Sequence, residues 1–457
     1  MTTTEITHKS FSGGRVRQIS SKTSHASKNL IYLLHGALFL YAFLLPLETV
    51  ELGFASRGVL TLPKMAAMGL VGLSLLHRKL AFRRFGWPHV FLVGYLFALL
   101  MSLGTISIRN ESQVIAQLVT LVQLFAIFWL TSNLLTNEVV ARRALWSFSI
   151  GCFVLAICAL FNIGGMANTS TAKGLQRLTV QGFDPNEISY ILALGIATLI
   201  GLFLDKGHMS VFSKILIVGL VLPQVAMLIS AGSRTGLAAV VMGIILFVVF
   251  MKKHKNKTMT IFVCGITLLG VCYLALTNPV TAARLQDSVE EGHLSGRGLI
   301  YKSALDMIWE KPLLGWGAVE NQFELGRRTG RGICSPHNLY LRILLQVGFM
   351  GGVFFFIGLT LCVWSAWRGR ASALGIIPFV LIAVVLISNL SLDYLTRKVT
   401  WFVLALVVAA PYMRGQLQFA SAYGSTIQRG PQGKWLSARM GKAKKIKAIS
   451  PRIYGIR

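Results

Sequence analysis

Residues 338–366, NLYLRILLQVGFMGGVFFFIGLTLCVWSA, decide the fold. The run is 29 residues long with one charged side chain, Arg342. About 20 apolar residues cross the ~30 Å hydrocarbon core as a helix, so the run predicts a membrane span. Eleven more runs share its character: 30–47, 59–76, 88–106, 114–131, 145–163, 188–204, 215–230, 237–251, 259–276, 371–388 and 399–413. The expected fold is therefore an all-α integral membrane protein with about 12 transmembrane helices.

Composition points the same way. Of 457 residues, 54% are hydrophobic and 13% charged, whereas soluble domains carry ~25% charged residues. Disorder, a disulfide-rich secreted domain and a nucleic-acid-binding globule all fit poorly. The net charge of +29 is read as topology. Segments 1–28, 77–87, 132–144, 205–214, 252–258, 367–372 and 414–457 hold 29 of the 45 Lys and Arg, and only Glu5, Glu138 and Asp205 among the acids. Positive residues mark the cytoplasmic face, so both termini are expected in the cytoplasm. The expected organisation is a basic N-terminal segment 1–29, a membrane domain 30–413 and a basic tail 414–457. The tail stretch 434–447 (KWLSARMGKAKKIK) fits anionic lipid better than RNA, and no nucleic-acid partner is expected. The first helix lacks a convincing cleavage site and reads as uncleaved. Five cysteines fall inside spans, and Cys334 alone faces outward, so no extracytoplasmic disulfide is implied.

Polar residues concentrate in the opposite loops. Loops 48–58, 107–113, 231–236 and 389–398 are tight, 164–187 is larger, and 277–337 is the largest. The last carries seven basic and seven acidic residues, so it is neutral rather than a polybasic clamp. Within it, residues 299–311 (LIYKSALDMIWEK) predict an amphipathic helix lying on the membrane. Ile300, Ala304 and Ile308 share a face extended by Leu299, Leu305 and Trp309, and Pro312 ends the helix.

Four places bear candidate chemistry. In Ser335-Pro336-His337-Asn338, Ser335 suits an N-cap and Pro336 the first helical position, which puts His337 in the first turn. A helix N-terminus disfavours imidazolium, so His337 reads either as a neutral general base or as a capping residue without chemistry. One turn beyond Asn338, Arg342 serves a ligand or a structural partner. Arg234, in the turn Ser230-Ala231-Gly232-Ser233-Arg234-Thr235-Gly236, suits phosphate oxygens or pairs with a helix end. In Gly182-Phe183-Asp184-Pro185-Asn186-Glu187, Asp184 or Asn186 caps a helix or orients a sugar, with Arg177 upstream. No metal or nucleotide motif is present, so no cofactor and no metal are expected.

Together, Ser233-Arg234-Thr235-Gly236, Gly296-Arg297-Gly298-Leu299-Ile300-Tyr301, Lys311-Pro312-Leu313-Leu314-Gly315-Trp316-Gly317, His337-Asn338-Leu339-Tyr340-Leu341 and Gly348-Phe349-Met350-Gly351-Gly352 resemble the O-antigen ligase/polymerase superfamily over about 215–365. The resemblance implies a GT-C-like fold with a large extracytoplasmic loop between helices 9 and 10. It implies a metal-independent, inverting glycosyltransferase of the bacterial inner membrane. Such an enzyme moves a glycan from undecaprenyl diphosphate to a hydroxyl on the periplasmic side. The acceptor is lipid A core for a ligase and another lipid-linked chain for a polymerase, and the motif pattern leans to the ligase. By the same resemblance His337 acts on the acceptor, and Arg234, Arg297 and Arg177 bind the diphosphate. Arg327, Arg328 and Arg331 have no counterpart. A transporter or flippase of lipid-linked glycan is the rival from another class, but its usual paired halves and midplane polar groups are missing here. A cell-wall polymerase of the shape, elongation and division type is a further alternative, without its signature acidic loop site.

Overall fold

In the computed structural model the apolar run 338–366 lies in a helix, Leu339–Gly369, and each of the other eleven runs also meets a helix. The described residues are 16–48, 61–104, 111–172, 175–204, 210–250, 257–290 and 297–424. Residues 1–15 of the N-terminal segment and 425–457 of the tail lie outside them, as do most of loop 48–58, parts of loops 107–113, 205–214 and 252–258, and residues 291–296 of the large loop.

In chain order come α1 (Val16–Leu44), α2 (Leu62–Leu76), a short α3 (Arg78–Ala81), α4 (Trp87–Leu103), α5 (Glu111–Leu134) and α6 (Glu138–Leu160). A hairpin of β1 (Ala167–Ala172) and β2 (Leu175–Val180) precedes α7 (Pro185–Phe203). Then follow α8 (Val211–Ser230), α9 (Arg234–Phe250), α10 (Lys257–Thr277), α11 (Pro279–Glu290), α12 (Gly298–Glu310) and α13 (Glu320–Thr329). The last three are α14 (Leu339–Gly369), α15 (Ile377–Ser388) and α16 (Lys398–Gly424). Six of these helices are long and apolar enough to cross a bilayer, α10 with α11 forms a pair bent by 88°, and five apolar helices are shorter. This is an all-α membrane protein to which the structure adds one small hairpin.

Two helices form the centre of the unit spanning residues 1–416. In α7 nearly every side chain is buried, and in α16 Val399 to Ala410 are buried without a break. A helix apolar all round must be surrounded. Accordingly α7 packs against α6, α8, α9 and α15, while Trp401 and Phe402 of α16 meet Phe128 and Phe148. The Tyr190 and Thr400 hydroxyls join the two central helices at 3.0 Å.

The large loop is anchored to the core through a break in α14. Gly348 takes φ 59° and ψ −163°, a region open essentially only to glycine. Breaking a helix frees backbone groups that must find new partners inside a membrane protein. Here the chain after α12 supplies them. Trp316 N–H donates to Leu345 O at 2.6 Å and Gly317 N–H to Gln346 O at 3.0 Å; Phe349 N–H donates to Pro312 O at 2.6 Å and Met350 N–H to Leu313 O at 3.2 Å. Buried Gln346 adds a side-chain clamp, donating to Ala318 O and accepting from Tyr95.

Residues 298–310 form the expected amphipathic helix, but it is placed differently. Ile300, Ala304 and Ile308 are buried against protein, in a cluster with Leu325, Cys334 and Leu345. The exposed apolar face is Leu299, Leu305 and Trp309, so one apolar stripe is in fact two faces with different neighbours.

Candidate active site

The helix beside His337 begins later than the sequence suggested. Asn338 is the N-cap of α14, its Oδ1 accepting from Tyr340 N–H at 3.0 Å and Leu341 N–H at 3.1 Å. Ser335 and Pro336 therefore lie before the helix, and so does His337. The His337 backbone is left-handed, with φ 47°. A non-glycine residue held there is uncommon and costs about 1–3 kcal/mol, so it persists only where its surroundings fix it.

The turn between α15 and α16 does the fixing. Asn338 Nδ2 donates to Leu390 O at 3.1 Å and Leu339 N–H to Asn389 O at 3.0 Å. On the other flank His337 N–H donates to Ser335 Oγ at 3.3 Å, and that hydroxyl donates to the Asp393 carboxylate. Arg342 is paired with Asp393, Nη1 to Oδ2 at 2.8 Å. Burial opposes the Asp393 charge, but Arg342, Ser335 and His337 outweigh it and hold its carboxyl below the usual range. The His337 pKa is lowered chiefly by burial, with Arg297 acting in the same direction and Asp393 against it. His337 is itself exposed, so it is the protein packed around the ring, rather than the helix terminus, that biases it towards the neutral form.

Losing one partner of a largely buried ion pair strands the other. Arg342→Gln is accordingly expected to destabilise the protein by about 2–4 kcal/mol, read as a fall in Tm in detergent. A fall no larger than that of an exposed charge change would reject this role.

The second cluster gathers around residues 231–233. The hairpin's two-residue alternation turns Arg177 and Thr179 inward, and both are buried. Arg177 Nε donates to Ala231 O at 2.9 Å and its Nη2 to Asn186 Oδ1 at 3.1 Å. Arg284, on α11, donates to Gly232 O at 2.7 Å, and Arg234 Nη1 reaches Arg284 O at 3.4 Å. Arg177 has its pKa lowered to about 10, first by burial and then by Arg284, with Asp184 opposing and Arg234 reinforcing. Cations crowded this way favour an anion among them.

Asp184 caps α7 through Asn186 N–H at 2.8 Å. Asn186 is the hub: its amide donates to Asp184, and its carbonyl accepts from Arg177 and Ser233. Ser233 Oγ also accepts from Gly236 N–H at 3.3 Å at the start of α9.

Ser391 joins the two clusters. Its hydroxyl lies 2.6 Å from Thr235 Oγ1, beside Arg234, and its carbonyl accepts from Arg297 at 3.2 Å. Asp184 bears on the ionisation of both Arg177 and His337, so the expected candidates share one end of the molecule. Two further loop arginines are employed elsewhere: Arg327 and Arg328 bind Glu324, and Arg328 also binds Glu310 at 2.6 Å; Arg331 instead adds to the charges that lower the His337 pKa. Their hydrogen bonds hold Glu324 at about 2. Among the described residues no three His, Cys, Asp or Glu side chains gather as a metal site requires.

Sequence reasoning missed Asp393, Ser391 and Arg284. Asp393 left a signal, being the lone carboxylate in a tight turn between two strongly apolar helices. Arg284 left less, because α11 sits in a stretch rich in charges of both signs.

Residues 218–356 match the family described as O-antigen ligase. That segment carries Arg234, Arg284, Arg297, His337, Asn338 and Arg342, along with the break in α14; Arg177, Asp184, Asn186 and Asp393 lie outside it. No curated protein matches the chain.

Proposed function

We propose that this chain, whose residues 218–356 match the family described as O-antigen ligase, transfers an O-antigen-type glycan from undecaprenyl diphosphate to a hydroxyl of lipid A core. Its family places it among glycosyltransferase-like membrane enzymes acting on lipid-linked glycans. The reading assigns the loop end to the periplasmic side of the inner membrane and both termini to the cytoplasm. The observation that carries it is the joining, through Ser391, of a histidine biased towards its neutral form and a crowded group of guanidiniums.

In this mechanism a neutral His337 ring nitrogen takes the proton of the acceptor hydroxyl. The acceptor oxygen attacks the anomeric carbon from the face opposite the diphosphate. The bond from that carbon to the phosphate oxygen breaks, its electron pair leaves with undecaprenyl diphosphate, and configuration inverts. Arg234, Arg297 and Arg177 stabilise the charge that grows on the leaving oxygen, and Arg284 adds to the same field. Preorganised cations are effective there because they need not reorient as charge develops. Asn338 and Arg342 support His337, while Asp184 and Asn186 fix Arg177 in place.

With fixed guanidiniums supplying the positive charge, transfer is expected to proceed unchanged in EDTA. The test supplies purified protein in lipid with undecaprenyl-diphosphate glycan and each acceptor, with and without EDTA. A single shifted lipid A–core band supports the ligase. A ladder of chain lengths on a lipid-linked acceptor would move the assignment to the polymerase. Donor binding and passage across vesicles without product would make the protein a transporter or flippase.

A further inference from the structure

At the far end of α14 from His337, separated by ~45 Å of helix, lies a cavity of about 420 Å³. Arg84 and Arg368 line it, with Trp87, Trp364, Tyr412 and buried His89. No Asp or Glu lines it, and among the described residues neither arginine is paired with a carboxylate.

The site is built rather than incidental. Asn133 holds the Arg84 backbone from both sides, accepting from its N–H at 2.8 Å and donating to its carbonyl at 3.1 Å, and Trp129 Nε1 donates to the same carbonyl at 2.8 Å. The Arg84 guanidinium stands 4.2 Å over the Tyr412 ring. Beneath, His89 accepts from Gly86 N–H at 3.2 Å and meets Ser132 Oγ at 3.0 Å. Both arginines keep donors that this scaffold does not consume.

The surroundings identify the occupant. Trp87 and Trp364 are 69% and 56% exposed, and amphipathic rings of this kind settle at headgroup level. Ile357, Leu361, Trp364 and Arg368 follow one another at three- or four-residue steps, so they form one stripe running from apolar surface to charge. Such a stripe fits a molecule with an acyl tail and an anionic head. We propose that this cavity binds the phosphodiester headgroup of an anionic phospholipid, held by Arg84 and Arg368 with its acyl chains along α14.

The test uses the full chain, delipidated in detergent, with cardiolipin, phosphatidylglycerol or phosphatidylcholine added. Thermal unfolding and native mass spectrometry report stabilisation and retained lipid. The two anionic lipids should raise Tm and stay bound, and phosphatidylcholine should do neither. Arg84→Gln with Arg368→Gln should weaken anionic-lipid binding at least tenfold and abolish the shift, each single change losing part of it. Lys79→Gln, an exposed charge outside the cavity, should behave as wild type. Undiminished lipid binding by the double variant would overturn the proposal, as would an equal loss in Lys79→Gln. Displacement of the lipid by glycerol phosphate at matched concentration would overturn the lipid assignment in favour of a soluble phosphate.

Discussion

Replacing His337 by asparagine is expected to slow glycan transfer by about 10²–10⁴-fold, the range contributed by a positioned general base, with little change in stability. Asparagine is the informative substitution because it tolerates the left-handed backbone at this position, so a loss of rate reports chemistry rather than a disturbed cap; His337→Ala should lose activity similarly. The pH profile carries the same argument. Only neutral imidazole can take the acceptor proton, so the rate falls on the acid side through the His337 pKa. Burial lowers that pKa from the ordinary 6.5, and the wild-type acid limb should therefore lie below pH 6.5. Asp393 raises the pKa and Arg297 lowers it. Residual activity of Asp393→Asn should show the acid limb moved to lower pH, and that of Arg297→Gln to higher pH. A purely structural role for either residue would lower activity without moving the limb. Near-normal rates in His337→Asn would remove His337 from the chemistry.

The apolar helices were legible because hydrocarbon thickness demands long apolar runs, yet of the twelve spans expected only six described helices, or seven with the bent pair, are long and apolar enough to cross, and five others are shorter. The loop helix α12 was legible in its 3.6-residue period and its Pro312 stop, yet the sequence could not show which apolar face would meet protein. The hairpin was not legible: its first strand, Ala167–Ala172, reads ANTSTA, with no apolar alternation to mark a face. The start of α14 was misplaced for a tertiary reason. Ser335 and Asn338 both suit an N-cap, but the Ser335 hydroxyl is committed to Asp393, 58 residues away, and Asn338 caps instead. Arg342 likewise meets the same distant carboxylate, a pairing that no local pattern announces. The glycine-rich pieces 311–317 and 348–352 were visible as separate motifs. Their common purpose, one backbone junction, requires the fold.

That junction gives the second large expected effect. Gly348→Ala should destabilise the protein by about 3 kcal/mol or more, since its backbone region alone costs a side-chain-bearing residue 1–3 kcal/mol and steric overlap adds to it. A Cβ at Gly348 would lie 2.5 Å from Pro312 O and would also overlap Leu313 O. Relief would mean pushing 312–317 away from α14, and the four backbone hydrogen bonds across the junction would go with it. Gly315 sits on the other side, left-handed at φ 70°, where an added Cβ would meet Gln346 C and Gly348 N at 2.7 Å; neither strand of the junction can yield easily to the other. The consequence should reach function, because the N-cap Asn338 stands less than three turns before the break and His337 directly precedes it. Gly265→Ala is the matched control: that glycine lies inside α10 with nothing within 4 Å of an added Cβ, and the change should be neutral or stabilising by up to ~1 kcal/mol. Thermal unfolding of both variants beside wild type decides the matter. If Gly348→Ala unfolds no earlier than Gly265→Ala, the break in α14 is not what anchors the loop.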